Sequence, residues 1–431
     1  MKSAFAKFLS EHGMLAVLLL LGTFFSVVTY QEQPLGGTEA VTRAMEGLQK
    51  EDRVLLLGGV AAEDGAFGDE VEKKLREAGV VLVARVSGTP QDARKFLEAA
   101  KDVKAVICGA QAARWLVVED VARDFPALKD ARIVKPARVR FPTFLNASNL
   151  LNIANQIAII AIVAVGMTMV IIAGGIDLSV GSLIALSAVL TATFIRDFGG
   201  GTEAGTGALL LCCLGAICVC GVLGGFSGLM VTTFDIPPFI VTLSLMLVGS
   251  GLAYSISNNL SISVMPDSFL WLGRAADLFG LPNTVVLMFV LYGLAHVLLG
   301  HMRLGRQIYA VGGNREAAIV SGLPVKKVVC MTYILSGLLA GLGGVIMTSL
   351  LKAGSPAYGN MYELYVIAAV VVGGTSLSGG KGHIFDTLLG AFTIAVMQNG
   401  MNLCNVGSNP QKIILGLVIL GAVLLDRLRN R

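Results

Sequence analysis

GGIDLSVG, residues 174–181, follows an apolar run of bilayer-spanning length and recurs as GGTSLSGG at residues 373–380, again after an apolar run. Five of the eight positions are identical in the two copies. Glycines and hydroxyl side chains that interrupt a lipid-spanning segment free backbone groups that hydrocarbon cannot satisfy, so such breaks are stable only where they face protein or line a cavity. Breaks of this kind are typical of the working region of membrane transporters. The alternative is that both copies are helix-packing sites.

Asp177 is the most notable ionisable residue of the apolar part of the chain, and an acid in a membrane segment is by default a functional candidate. Three interpretations are open: Asp177 or Ser179 caps a helix that starts near Leu178, Asp177 acts in a pathway or in coupling, or it contacts a substrate directly. Ser376 takes the place of Asp177 in the second copy and also suits a cap, so each copy predicts a helix start inside a break. The candidate break and pathway residues are Gly174, Gly175, Asp177, Ser179, Gly181, Gly373, Gly374, Ser376, Ser378 and Gly379.

Composition places the chain among membrane proteins. Its 431 residues are 55% hydrophobic and 14% charged, against a usual charged share of about 25%. Glycine pairs at small-xxx-small spacing, such as Gly224/Gly228 and Gly337/Gly341, predict closely packed helices. About ten crossings are predicted from apolar runs near 14–30, 151–173, 178–195, 207–231, 238–256, 283–300, 327–350, 363–373, 384–402 and 411–427. The run near 363–373 is short for a bilayer, so it either extends through the glycine phrase or is re-entrant.

The charges are segregated, because 17 of the acidic and 18 of the basic residues lie between residues 34 and 140. Strand-like and helix-like stretches alternate there, which indicates a small parallel α/β sheet. The predicted fold is therefore an all-α polytopic membrane protein with an inserted α/β domain. Its parts are an N-terminal transmembrane helix at 1–33, the insertion at 34–140 and a transmembrane domain at 141–431.

Orientation follows from the short loop that is richest in basic residues, 301–327, which should be cytoplasmic. Ten spans then put both termini in the cytoplasm and residues 34–140 on the extracytoplasmic side of the cell (inner) membrane. Residues 14–30 fit either a signal peptide or a first span, and the lack of a small-residue cleavage site after Tyr30 favours an uncleaved span.

Two kinds of site are disfavoured by the residue patterns. Residues 377–381 (LSGGK) resemble a nucleotide-binding signature, but Thr375 stands where a phosphate loop needs its first glycine and Gly382 where it needs a hydroxyl. ATP hydrolysis is therefore expected on a partner chain. His296, His301 and His383 lie far apart in sequence without carboxylates at metal spacing, which favours helix-end or interface roles. We expect no catalytic residues, no cofactor, no metal and no nucleic-acid partner.

At the basic loop the sequence becomes specific. GRQIYAVGGN (305–314), followed by Ala317-Ala318 and Ser321-Gly322, closely resembles the cytoplasmic coupling loop of ABC importer permeases of the ribose/xylose/galactose type. The stretches 164–186 and 371–391 resemble the other two hallmark segments of that family, in the expected order. The resemblance covers residues 141–431 well and 1–30 loosely.

This resemblance implies a non-catalytic membrane subunit that moves a sugar, such as a ribose-like monosaccharide, or a related small polar solute. Its implied partners are an ABC ATPase with two nucleotide-binding domains, an extracytoplasmic solute-binding protein, a second permease copy (identical or not) and membrane lipid. The residues implied to couple to the ATPase are Gly305, Arg306, Gly312, Gly313, Asn314, Ala317, Ala318, Ser321 and Gly322.

One departure from the family is the insertion of 107 residues after the first span, where relatives have a short outer loop. It is weakly similar to part of one lobe of a sugar-binding protein, which leaves a docking or scaffold module, a ligand-sensing half-domain or a relic. Other transport readings are a permease for nucleosides, a signalling furanose or branched-chain amino acids. A membrane receptor that senses through the insertion, and an ion-driven transporter, are the remaining classes.

Overall fold

The computed structural model describes residues 2–34, 37–60, 62–100, 102–136, 138–278 and 280–429. The chain divides into two compact units, residues 30–143 and the remainder, which comprises residues 1–29 and 144–431. The first helix is α1 (Lys2–Val28), in which residues 14–28 form an apolar segment.

The smaller unit follows α1 and alternates strands with helices. Its elements are β1 (Tyr30–Pro34), α2 (Gly37–Met45), β2 (Arg53–Gly58), α3 (Ala62–Glu77), β3 (Val81–Ser87), α4 (Pro90–Ala99), β4 (Ala105–Cys108), α5 (Leu116–Glu119), α6 (Val121–Asp124), β5 (Arg132–Val134) and β6 (Arg138–Pro142).

Four of these strands form a parallel sheet in the order β3-β2-β4-β5. Successive residues of a strand point to opposite faces, so β2 and β4 supply a core on each side. Leu55 and Leu57 pack in one buried cluster, whereas Val54 and Leu56 pack in another. A sheet covered on both faces explains why these strands are continuous apolar runs in the sequence.

The remaining two strands, β1 and β6, pair with each other in an antiparallel ladder that runs from Tyr30 opposite Pro142 to Pro34 opposite Arg138. The segments that begin and end the smaller unit are therefore hydrogen-bonded neighbours.

The larger unit is helical after residue 143. Its helices are α7 (Ala147–Ile172), α8 (Val180–Asp197), α9 (Thr206–Thr233), α10 (Pro238–Ile256), α11 (Trp271–Arg274), α12 (Asn283–His301), α13 (Arg303–Gly313), α14 (Arg315–Val320), α15 (Val325–Leu351), α16 (Tyr362–Val372), α17 (Ile384–Leu403) and α18 (Ser408–Arg429).

Six helices of the described residues, α7, α8, α9, α10, α12 and α15, are long and apolar enough to cross a membrane. Three shorter apolar helical segments lie at Met14–Val28, Tyr362–Val372 and Ser408–Leu424. The chain is thus a largely helical, polytopic membrane protein. The alternative that the run near 363–373 continues as helix through the glycine phrase is wrong, because α16 ends at Val372.

Helix α15 packs against α7, α8 and α9 at the centre of the larger unit. Its contact with α9 depends on glycine. A Cβ atom added to Gly224 would lie 2.2 Å from the carbonyl oxygen of Tyr333, and one added to Gly337 would lie 2.3 Å from that of Cys220. Side chains at these positions would hold the two backbones apart, which confirms the close packing predicted from the glycine spacing.

Candidate functional site

The two helix breaks and the end of α13 meet at one place, although they are far apart in sequence. The amide of Gly380 donates a hydrogen bond of 2.8 Å to the carbonyl oxygen of Ile172, the last residue of α7. A Cβ atom added to Gly312 would lie 1.7 Å from that same oxygen and 2.7 Å from the nitrogen of Gly380. Gly312 is therefore wedged between the two breaks, with no room for any side chain.

Two further contacts tie α13 to the second break. The Tyr309 hydroxyl donates a hydrogen bond of 2.7 Å to the carbonyl oxygen of Gly382. A Cβ atom on Gly380 would lie 2.6 Å from the Cα atom of Gly313, and Gly380 has a φ of +70° that favours glycine. Backbone contact on this scale leaves little freedom for α13 to move independently of the loop.

Both helices that precede the breaks end in the same way. Gly174 after α7 and Gly374 after α16 have φ values of +86° and +89°. In each case the next residue, Gly175 or Thr375, donates its amide to a carbonyl five residues earlier. This is the Schellman ending, in which a left-handed glycine lets the last turn satisfy its own carbonyls.

These helix ends correct the alignment of the two copies. Matching the sequence phrases pairs Gly174 with Gly373, but the backbone pairs Gly174 with Gly374. Gly373 is instead the right-handed residue before the turn, and a Cβ atom there would lie 2.4 Å from the carbonyl oxygen of Asp386 on α17. The second copy therefore needs its two glycines for different reasons, one for close packing and one for backbone conformation.

Asp177 is fully buried and holds the first break together. Its Oδ1 accepts hydrogen bonds from the amide of Ser179 at 3.0 Å and from the hydroxyl of Ser179 at 2.6 Å, and its Oδ2 accepts from the hydroxyl of Ser336 at 2.7 Å. Ser336 lies in the middle of α15, about 16 Å from its start. The carboxyl group thus ties the loop to the central helix.

The predicted caps hold only in part, since Asp177 accepts the amide of Ser179, the N-cap residue of α8. Helix α8 begins at Val180 and Ser179 is its N-cap residue, but the Ser179 side chain makes no capping bond because its hydroxyl is committed to Asp177. In the second copy the Ser376 hydroxyl accepts the amide of Ser378 at 3.4 Å, and no helix follows until α17 begins at Ile384. Ser376 therefore caps no helix.

The segment α13–α14 divides the predicted coupling residues into two groups. Arg306, Gly313, Asn314, Ala317, Ser321 and Gly322 are exposed, and the Asn314 side chain caps α14 by accepting the amide of Ala317 at 2.9 Å. Gly305 is buried against α12, and Ala318 is 4% exposed. The expectation that Gly305 and Ala318 themselves touch a partner does not agree with this burial.

Several residues that belong to this site were missed by the sequence reasoning. Tyr309 and Ser336 make the contacts above, and Ile319 is an apolar residue of α14 that is 58% exposed. Glu363 is an acid in the first turn of the apolar helix α16, and its carboxylate lies against Gly181, where an added Cβ atom would be 2.2 Å from Oε2. The sequence signal for Glu363 was an acidic residue just before the apolar run VIAAVVV. The roles of Tyr309, Ser336 and Ile319 become visible only in the tertiary structure.

In the part of the chain that the structure describes, no group of three or more His, Cys, Asp or Glu side chains is arranged to hold a metal ion. The site consists of backbone contacts, hydroxyls and one buried carboxyl group. Such an arrangement transmits displacement between segments, since packed backbones move together.

Comparison with known proteins identifies a family for this chain. Residues 149–425 match the model of a family described as the permease component of branched-chain amino acid transport systems. The chain is 44% identical to a ribose import permease protein of Bacillus subtilis (strain 168) over 291 residues, which is 67% of this chain and 88% of that protein.

Two further relatives are similar over the same part of the chain. A ribose import permease protein of Escherichia coli (strain K12) is 42% identical over 66% of this chain and 87% of its own length. A D-allose transport system permease protein of the same strain is 36% identical over 67% of this chain and 86% of its own length. No solved structure gives a significant match.

Proposed function

The chain belongs to the family of branched-chain amino acid transport system permease components, and we propose that it is the membrane-spanning subunit of an ATP-driven importer for a ribose-like sugar. The relatives described above are a ribose import permease in two species and a D-allose transport system permease, which supports a sugar rather than an amino acid. The structural observation that carries the proposal is the wedge of Gly312 between Ile172 and Gly380.

The wedge suggests how an external force reaches the membrane helices. A partner that moves α13–α14 displaces Gly312. Because Gly312 is packed against Ile172 and Gly380, its displacement also moves the two breaks. Transport needs two states of the pathway, and ATP shifts the balance only if its binding favours one of them. The breaks at residues 173–179 and 373–383 are the elements that we assign to the pathway.

The partner that moves this segment is, in our proposal, an ABC ATPase with two nucleotide-binding domains. The contact surface is formed by the exposed polar residues of α13–α14 together with Ile319 and Val320, which are 58% and 88% exposed. An apolar pair so exposed on a six-residue helix is suited to a protein groove. A second permease copy and a solute-binding protein complete the assembly, as in the family resemblance.

For the membrane arrangement we propose ten spans, formed by the six long helices with α1, α16, α17 and α18. The basic segment 301–327 then faces the cytoplasm, both termini are cytoplasmic and residues 34–140 lie outside the cell membrane. Helix α16 has 11 residues, about 16 Å, so it crosses only part of a bilayer about 30 Å thick. In this scheme the non-helical residues that flank α16 complete its crossing.

For the extracytoplasmic unit, residues 34–140, we favour a docking or scaffold role over ligand sensing. Ligands of open parallel sheets bind beyond the carboxyl ends of the strands, where the strand order reverses, here between β2 and β4. That place is taken by the chain itself. The buried carboxylate of Asp64 accepts the amides of Gly59 at 2.7 Å, Gln111 at 3.2 Å and Ala112 at 3.4 Å.

Gly313 offers the sharpest test of the coupling surface, because it is exposed and a Cβ atom there meets nothing within 4 Å. Gly313→Glu should leave the protein folded and inserted but abolish ATP-dependent sugar uptake and co-purification of the ATPase. The matched control is Gly205→Glu, at an equally open and exposed glycine before α9. Retained uptake in Gly313→Glu, or an equal loss in the control, would sink the assignment.

The solute is tested by identifying what co-purifies with the full chain from its native membrane. An ATPase together with a solute-binding protein that binds ribose or a similar sugar supports the proposal. A binding protein that binds nucleosides, a signalling furanose or branched-chain amino acids would change the proposed solute but leave the assignment as an importer in place. A signalling protein without an ATPase would favour the receptor reading.

A further inference from the structure

A groove of about 430 Å³ lies beside helices α13 and α14, which together we call the coupling segment. The groove is formed where α12 ends, α13 begins and α17 starts. Three ring-bearing polar side chains and one guanidinium line it. The lining residues are His296, Leu299, Gly300, Arg306, Tyr309, Gly382, His383 and Ile384. Arg306 is a predicted coupling residue and Tyr309 binds the second break, but neither role accounts for His296 and His383 beside them.

Among the residues that line the groove, Arg306 carries a fixed positive charge. Arg306 donates from Nη1 to the carbonyl oxygen of His301 at 3.3 Å, and none of the ion pairs among the described residues includes it. The His296 ring packs 5.8 Å from that of His301 and 5.0 Å from that of Phe385. Asp386 is the acid close enough to interact electrostatically with Tyr309 and His383, and it does not line the groove.

An apolar stripe on α12 leads to this groove. Val290, Leu294 and Val297 share one face of the helix, and each is about half exposed or more, at 53%, 61% and 49%. Gly300 follows Val297 by three residues on that face and lines the groove. Because α12 is apolar enough to span a bilayer, hydrocarbon is the expected neighbour of this stripe.

We propose that the groove binds the phosphate of an anionic phospholipid, with the acyl chains along the stripe Val290–Leu294–Val297. Basic pockets between membrane helices at the cytoplasmic surface suit anionic headgroups, and a zwitterionic lipid gains less there. The location of the groove at the cytoplasmic surface rests on the membrane orientation proposed above. The lipid site itself does not depend on which solute is carried.

The test uses the full chain in detergent and measures the affinity for phosphatidylglycerol and for phosphatidylcholine with the same acyl chains, by native mass spectrometry. The wild type should prefer phosphatidylglycerol. Arg306→Gln should weaken that binding about fivefold while leaving phosphatidylcholine unchanged, since one cation near an anionic headgroup is removed. Arg315→Gln, which removes an exposed cation 3.7 Å from Asp235 and outside the groove, is the matched control.

Four results would overturn the lipid site. One is equal affinity of the wild type for the two lipids, and another is an equal loss in Arg306→Gln and Arg315→Gln. The third is displacement of phosphatidylglycerol by inorganic phosphate at equal concentration, which would identify a free-phosphate site. If Arg306→Gln keeps its lipid but loses the ATPase, the groove faces the protein partner instead. A single symmetric peak in size-exclusion chromatography verifies that each variant is folded, and none of these measurements needs transport.

Discussion

The two breaks begin alike and then diverge. Both follow a helix that ends on a left-handed glycine, and both contain a two-residue turn closed by a side-chain oxygen, from Asp177 in one and Ser376 in the other. The first break starts a new helix within seven residues. The second runs for eleven residues before α17 and contacts Gly312 and Gly313 on the way.

The two breaks are anchored to different parts of the protein. The first break is fastened to the core, because its buried carboxyl group is bound by a hydroxyl of the central helix. The second break lacks that anchor and is fastened to the coupling segment through backbone contacts and the Tyr309 hydroxyl. In the mechanism that we propose, the first phrase is the fixed point and the second is the moving link, and substitutions in each should differ accordingly.

The largest effect is expected at the contact that joins the two breaks. Gly312→Val places a side chain where even a Cβ atom is 1.7 Å from the Ile172 carbonyl oxygen, and overpacking of this kind costs about 1 to 3 kcal/mol or more. We expect loss of sugar uptake, measured in membrane vesicles and normalised to inserted protein. Gly313→Ala, at the open neighbour, should transport normally, and equal defects at both positions would contradict the wedge.

Asp177→Ala should be the next most damaging change. It leaves the Ser179 amide and two hydroxyls without their acceptor, and each buried group left unpaired costs about 1 to 3 kcal/mol. The midpoint of thermal unfolding of the purified chain should fall clearly. Asp177→Asn keeps an acceptor oxygen and should retain stability, so an inactive but stable Asn variant would show that the charge itself is needed.

Substitutions at the two helix ends should lower the stability of the protein equally, because Gly174 and Gly374 have the same backbone geometry. Gly174→Ala and Gly374→Ala each put an L-residue at a positive φ, which costs about 1 to 2 kcal/mol, and neither added Cβ atom meets a neighbour within 4 Å. Thermal unfolding of the two variants compared side by side checks this. A Gly374→Ala variant with little loss, together with a Gly373→Ala loss equal to that of Gly174→Ala, would restore the pairing suggested by sequence.

Ser376→Ala should have the smallest effect. The hydrogen bond that it removes is 3.4 Å long, so we expect a loss of about 0.5 kcal/mol. Chemical denaturation of the purified full chain measures this, with Asp177→Ala as the reference. Losses of equal size at Ser376 and Asp177 would mean that the second break is as firmly anchored as the first.

Much of the helical layout is readable from the sequence because apolar runs and their glycine ends are local signals. The ends of α7 and α16 fall within a residue or two of the predicted breaks. The pairing of glycines between copies was shifted by one, since a match of letters does not distinguish a glycine needed for positive φ from one needed for close packing. That distinction appears only when the Asp386 carbonyl is placed next to Gly373.

The site itself was only partly predictable. Gly312, Asp177 and both breaks were named from motifs, but their meeting depends on contacts between residues that are 68 to 208 positions apart (380 − 312 and 380 − 172). Ala318 illustrates the limit, because a small residue in an amphipathic stretch suits either a partner surface or the protein interior, and here it is buried. Its replacement by a bulky charged residue would therefore damage folding, which makes Gly313 the cleaner position for testing coupling.

The pairing of β1 with β6 has an evolutionary consequence. Residues 30–34 and 138–142 leave and rejoin the helical part of the chain side by side, one strand spacing of about 5 Å apart. A segment of a hundred residues could therefore be gained or lost at this hairpin by a single recombination event without altering the distance that the flanking helices must bridge. The family model matches residues 149–425, so the unit between these two strands lies outside the part of the chain that the family shares.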